Sequence, residues 1–358
     1  MMSGLSYRRY MNVWTPRWAP VFGLAVAAAL SLASETRLAA EPQPLVRAVS
    51  AVELTVRDLP RSQAFFEQLG FDKVGETELS GGALEERSGL GGARARRVEL
   101  VLGAEHIALL AYASPSDGRA VPADLQGNDL SFQHIAIVVR DMERAYGWLR
   151  TQRVAHVSSA PQTLPAWNRG AAGIQAFYFA DPDGHVLEII HFPKGKGDPR
   201  WQALGPCSKT PVELCQFQGI DHTAITVSDT DQSLAFYRDR LGLEVRGESE
   251  NYGFEQEHLN GVFGAHLRIT ALRAPSGLGI ELLEYLSPRG GRPTPSDARA
   301  NDLFHWQVLL HARSVSDAVS ATKNSAGRVA HASVHQALVR DRDGHALLIS
   351  DGAGSGTP

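Results

Sequence analysis

The segment Phe177–Pro193, FYFADPDGHVLEIIHFP, reads as strand, tight turn and strand, with Pro182 and Gly184 supplying the turn's backbone angles. Glu188 stands in the middle of an apolar run. A carboxylate buried there is costly unless it is paired, hydrogen-bonded or bound to a metal. Three further residues raise the same question: Glu281 in GLGIELLEYL, His134 in QHIAIVV and His222 in DHTAITV. Side chains alternate between the faces of a strand. If Ile135, Ile137 and Val139 pack on a helix, His134 faces the other way; with Ile225 and Val227 on the helix side, so does His222. Imidazoles and carboxylates gathered on one inward face suit acid–base work or a borderline divalent cation.

These residues sit in a repeating frame. AVELTVRDLPRSQAFFEQLGF (from Ala51), QHIAIVVRDMERAYGWLR (from Gln133), DHTAITVSDTDQSLAFYRDRLGL (from Asp221) and, more weakly, WQVLLHARSVSDAVSATKNSAG (from Trp306) have one shape. Each is an alternating strand, a polar turn that caps a helix, and a break. Later segments echo as well: EERSGLGGARARRVELV with QEHLNGVFGAHLRITAL, FADPDGHVLEII with VRDRDGHALLIS, and GNDLSFQH with ANDLFHWQ. Each unit therefore reads as strand, helix and three strands. One unit leaves an open sheet edge, so units must pair into a curved trough. The expected fold is α+β: four βαβββ modules, over 46–117, 130–195, 219–290 and 301–351, forming two barrel-like troughs.

The DHTAITVSD, LAFYRDRLG and DPDGHVLEI patterns resemble the vicinal oxygen chelate superfamily, which includes glyoxalase I, bleomycin-resistance proteins and extradiol dioxygenases. The resemblance covers nearly everything after residue 45. It implies a divalent metal (Zn, Ni, Co, Mn or Fe) held by one residue from the first strand and one from the last strand of each module. In this chain those places carry His134 and Glu188 in module two and His222 and Glu281 in module three. Module one has Ala51 and Ala108, and module four Gln307 and Leu348. Pairing two with three and one with four gives one complete site and one nearly empty trough. Pairing three with four would instead bring His222 and Glu281 toward His305 or Gln307, as in an iron oxygenase.

The resemblance implies a metal-dependent lyase or isomerase of glyoxalase type, acting on a small oxygenated substrate with Glu188 or Glu281 as base. The alternatives are a ring-cleaving extradiol-type dioxygenase and a non-catalytic binding protein. Trp167, Asn251, Tyr252 and His258 lie in segments leading to the trough strands and are candidate substrate contacts. Glu53 should face the one/four trough. His185 and His345 follow D-G turns and should serve turn structure, while His258, His266, His331 and His335 line a pocket or lie on the surface.

The chain's 358 residues carry a formal net charge of -4, with 43% apolar and 21% charged residues. That balance gives no reason to expect nucleic acid as a partner. A basic stretch, the apolar VFGLAVAAALSLAS and the small residues Ala39 and Ala40 have the pattern of a secretory signal over 1–40. Export to the periplasm or beyond is expected, with no membrane association after cleavage. Cys207 and Cys215, in the 196–218 linker, are then expected to form a disulfide.

Overall fold

A computed structural model describes residues 43–203, 205–325 and 327–352. The expected signal segment lies outside them. Among the described residues no helix is long and apolar enough to cross a membrane.

Each module opens with a strand followed by a helix: Val46–Thr55 and Leu59–Glu67, Gln133–Val139 and Met142–Thr151, Phe217–Val227 and Thr230–Tyr237, Trp306–Ala312 and Val315–Lys323. All four helices start in the same way. The side chains of Asp58, Asp141, Asp229 and Ser314 accept from the backbone N–H three residues on. Such caps satisfy one of the orphan donors of a helix's first turn.

The strands form two nine-stranded sheets. In one, Gln133–Val139 pairs antiparallel with Phe217–Val227, joining modules two and three. In the other, Val46–Thr55 pairs with Trp306–Ala312, joining modules one and four. The last strands, Val186–His191 and Gly279–Ser287, run parallel to the first strands of their own modules. Ile135, Ile137 and Val139 pack with Met142, Ala145 and Leu149 in the main core, which leaves the alternate residues to the troughs.

Modules one and three depart from strand, helix and three strands. Each inserts a short helix, Gly82–Ser88 or Phe254–Asn260, between its second and third strands. Both end at a glycine in the left-handed region, Gly89 (φ 72°) or Gly261 (φ 67°), a conformation other side chains resist. The echo between EERSGLGG and QEHLNGVFG encodes these helices.

The two halves are tied by matching bonds. His185 Nε2 donates to Leu303 O (2.6 Å) and His345 Nε2 to Thr226 O (2.8 Å). Asp183 accepts from Arg57 N and Asp343 from Ser228 N. Arg292 donates to Asp129 and Arg119 to Asp302, both at 2.6 Å. The histidines after the D-G turns thus reach beyond their own turns and join the halves. Cys207 and Cys215 are bonded, with Cα atoms 5.8 Å apart.

Candidate metal centre

The facing first strands of modules two and three place His222 opposite Ala136 and His134 opposite Ala224. Small residues beside each imidazole let the rings meet over the trough, with centroids 5.7 Å apart. The parallel last strands set Glu188 beside Ala136 and Glu281 beside Ala224. One donor atom from each of His134, Glu188 and His222 lies within 4.8 Å of the others. His134 Nε2 is 3.1 Å from Glu188 Oε2, and His222 Nε2 is 3.7 Å from Glu188 Oε2 and 3.4 Å from Glu281 Oε2. The structure therefore brings all four expected residues to one place. Glu281 stands slightly apart, with its side chain 24% exposed against 6% for Glu188.

The electrostatics suit a cation. Both ring nitrogens of His134 are buried; Nδ1 has no hydrogen-bond partner, and Nε2 has only the Glu188 carboxylate beside it. A buried polar atom left alone is costly, so an imidazole in this state fits a metal ligand. Burial and the neighbouring Glu188 push the Glu281 carboxyl above its ordinary range, against the pull of His222. Burial opposes charge on His222, but Glu281, Asp221 and Glu188 outweigh it and push its pKa up to about 9. Two imidazoles and two carboxylates match the donor preferences of Zn, Ni, Co, Mn or Fe in the divalent state.

Glu188, His222 and Glu281 line a cavity of about 780 Å³. Its lining mixes apolar side chains (Leu164, Ile174, Ile190, Leu259, Ile269, Leu283) with Arg246, Glu248, Ser249, Asn251 and Gln256. Buried amides form a chain: Asn168 Nδ2 to Asn251 Oδ1 (2.6 Å), Asn251 Nδ2 to Gln256 Oε1 (3.1 Å) and Gln256 Nε2 to Asn260 Oδ1 (2.5 Å).

Of the four expected substrate contacts, only Asn251 lines this cavity. Tyr252 follows it on the strand, so alternation turns Tyr252 outward, where it stacks on Trp167 at 4.3 Å. His258 lies on the short helix of module three, with Nδ1 2.8 Å from Ser159 Oγ. Neither His266, which pairs with Glu250, nor the exposed His335, which pairs with Asp351, lines the cavity. His331 packs against Gly89 in the other half.

Asp221 was not among the expected residues. Strict alternation would turn it away from His222, but the strand register slips between Ile220 and His222. This bulge keeps Asp221 on the cavity side.

The one/four trough holds different chemistry. Glu53 is buried and accepts from Arg87, from Arg97 Nε (2.7 Å) and from Gln307 Nε2 (2.5 Å). The two guanidinium groups overcome its burial and hold its pKa down to about 2. Leu348 packs among Leu309, Leu338 and Ala346. Glu53 is thus spent on internal ion pairs. The oxygenase-like alternative needs His305 or Gln307 beside His222, yet both residues belong to the one/four half, with Gln307 paired to Glu53 across its sheet.

The model of the Glyoxalase/Bleomycin resistance protein/Dioxygenase superfamily matches residues 48–189 and 219–349. The chain belongs to this superfamily. A curated relative, 2-epi-5-epi-valiolone epimerase from an Actinomyces species, is 29% identical over 153 residues, covering 41% of this chain and 81% of that protein. The crystal structure of glyoxalase I from Zea mays is similar over 86% of this chain and 92% of that one, with a TM-score of 0.53 and 15% identity. At that identity the likeness speaks for the fold.

Proposed function

We propose that the two/three trough is the active site of a divalent-metal-dependent isomerase or lyase, which moves a proton at a carbon beside a carbonyl of a small oxygenated substrate. The observation that carries this reading is the division among the four residues. His134, Glu188 and His222 form a tight donor cluster, while Glu281 falls outside it and is more exposed to the cavity that it lines. The name of the epimerase relative is consistent with an isomerase.

His134, Glu188 and His222 would hold the ion, with Glu281 close enough to join them. The ion, when bound, supplies Lewis-acid polarisation of a carbonyl oxygen. Glu281 takes the proton from the adjacent carbon at a carboxylate oxygen; its raised pKa brings it closer to that of an effective base at neutral pH. The apolar lining residues limit water around the reacting carbon. Ser249, Asn251 and Gln256 suit a hydroxyl-bearing substrate, and the amide chain fixes how the two carboxamides are presented.

The test is metal analysis of the purified protein, followed by proton NMR of hydroxyketones and cyclic polyol ketones in deuterated water. Metal at near-stoichiometric amount and deuterium uptake beside a carbonyl, lost in Glu281→Gln, are expected. Protein free of divalent metal after reconstitution would overturn the reading. A non-catalytic binder would keep ligand affinity in His134→Ala and His222→Ala. Export is part of the proposal, and N-terminal sequencing of protein from cell fractions tests it by the cleavage expected near Ala40.

A further inference from the structure

We infer that Asp221 and Trp201 are positioning residues of this centre, through which the linker and module one orient His222. The inference rests on the reading of the two/three trough as a metal site. Asp221 is buried and accepts three bonds: from His222 Nδ1 (3.0 Å), Trp201 Nε1 (2.8 Å) and Arg273 Nη2 (2.8 Å). An imidazole that gives its Nδ1 proton to a carboxylate presents the Nε2 lone pair. That nitrogen is the one aimed at Glu188 and Glu281. An ion pair between Asp221 and Arg273 alone would need neither the indole nor the imidazole.

Trp201 is itself held. The Arg200 guanidinium lies 3.9 Å from the centre of its ring and donates to Glu105 of module one (2.5 Å). The other oxygen of Glu105 accepts from Ile220 N (3.2 Å), two residues before His222. The packing leaves no room for a side chain at Gly219. A Cβ there would lie 2.4 Å from Glu105 Oε2 and 2.9 Å from the Trp201 ring. Module two has no counterpart to this network. Gln133 precedes His134 on a strand without the slip, and His134 Nδ1 has no hydrogen-bond partner. The pseudo-symmetric halves of the centre are thus held differently, His222 by an anchored carboxylate at Nδ1 and His134 with no partner at Nδ1.

The experiment measures zinc and cobalt(II) affinity of metal-stripped full-length protein by competition with a chromophoric chelator, alongside thermal unfolding. Asp221→Asn should weaken binding about 10- to 100-fold, the usual cost of losing an outer-shell partner. Trp201→Phe should weaken it less, and the double variant should bind no more weakly than Asp221→Asn alone, because Trp201 acts through Asp221. Both variants binding as tightly as the unaltered protein, with only the melting temperature lowered, would overturn the inference and leave the metal reading intact. Failure of the unaltered protein to bind metal would overturn both. If Asp221→Asn does not fold, Trp201→Phe decides the question.

Discussion

Glu281 Oε2 lies 3.4 Å from His222 Nε2, yet Glu281 falls outside the compact group formed by His134, Glu188 and His222. Two carboxylates from equivalent strands thus have different surroundings: both line the cavity, but Glu188 is enclosed by the two imidazoles and Glu281 is more exposed. Their roles should separate on mutation. Glu188→Gln is expected to weaken metal binding by at least the 10- to 100-fold typical of an outer-shell loss. Glu281→Gln should keep the metal within a few-fold and slow proton exchange by about 10²- to 10⁴-fold, the range for a general base. Metal titration and deuterium uptake on the same two variants check this; equal effects on both readouts would contradict it.

Replacing either imidazole should remove the ion. For His134→Ala and His222→Ala, metal content by mass spectrometry should fall from near one per chain toward zero. His331→Ala, in the other half, should leave it unchanged.

The metal-free protein should respond to alkali through His222. Its pKa is raised from an ordinary 6.5 to about 9, chiefly by Glu281 once the opposing effect of burial is overcome. A raised pKa stabilises the fold fully below the unfolded value, so the contribution is present below pH 6.5 and fades as pH climbs through 9. The ion needs the deprotonated ring, so its stabilisation should grow over the same interval. Urea unfolding should show stability falling between pH 6.5 and 9 without zinc and holding nearly level with it. Parallel curves would exclude this linkage.

Glu53 supplies an acid-side counterpart. Its pKa is depressed to about 2, so its contribution is present above the ordinary carboxylate value of 4.5 and lost as pH falls toward 2. Glu53→Ala strands Arg87 and Arg97 in a largely buried site and should cost about 3–5 kcal/mol. Denaturant unfolding measures the loss. Zinc affinity of the folded variant should be unchanged.

The repeat frame was legible because each module writes an alternating strand and an Asp or Ser cap, and modules two and four add the same D-x-D-G turn. His134, Glu188, His222 and Glu281 were legible because the fold does not demand them, as Gln307, Leu348, Ala51 and Ala108 occupy the matching places. Asp221 was hidden by a bulge, which breaks the two-residue rhythm on which such reading depends. Trp201 and Arg200 were hidden for another reason, since they sit in a linker with no periodicity. Tyr252 could have been excluded from the cavity, because a strand that turns Asn251 inward must turn its neighbour out. The Glu53 ion pairs depend on strands and a helix whose meeting only the tertiary fold reveals.

The strand pairing has a consequence for how the chain assembles. Modules two and three are neighbours in sequence and close on each other, but Val46–Thr55, paired on one edge with Glu105–Ser114 of its own module, finds its antiparallel partner on the other edge only at Trp306–Ala312. The architecture is nested, with the inner half enclosed in sequence by the outer. During synthesis the inner sheet can close while the first module still has an exposed edge. Closing the outer half carries the larger loop entropy and falls at the end. The most aggregation-prone interval is therefore the wait of the first strand for the last module. Truncation before Trp306 should leave one edge of that strand open even where the inner half has folded.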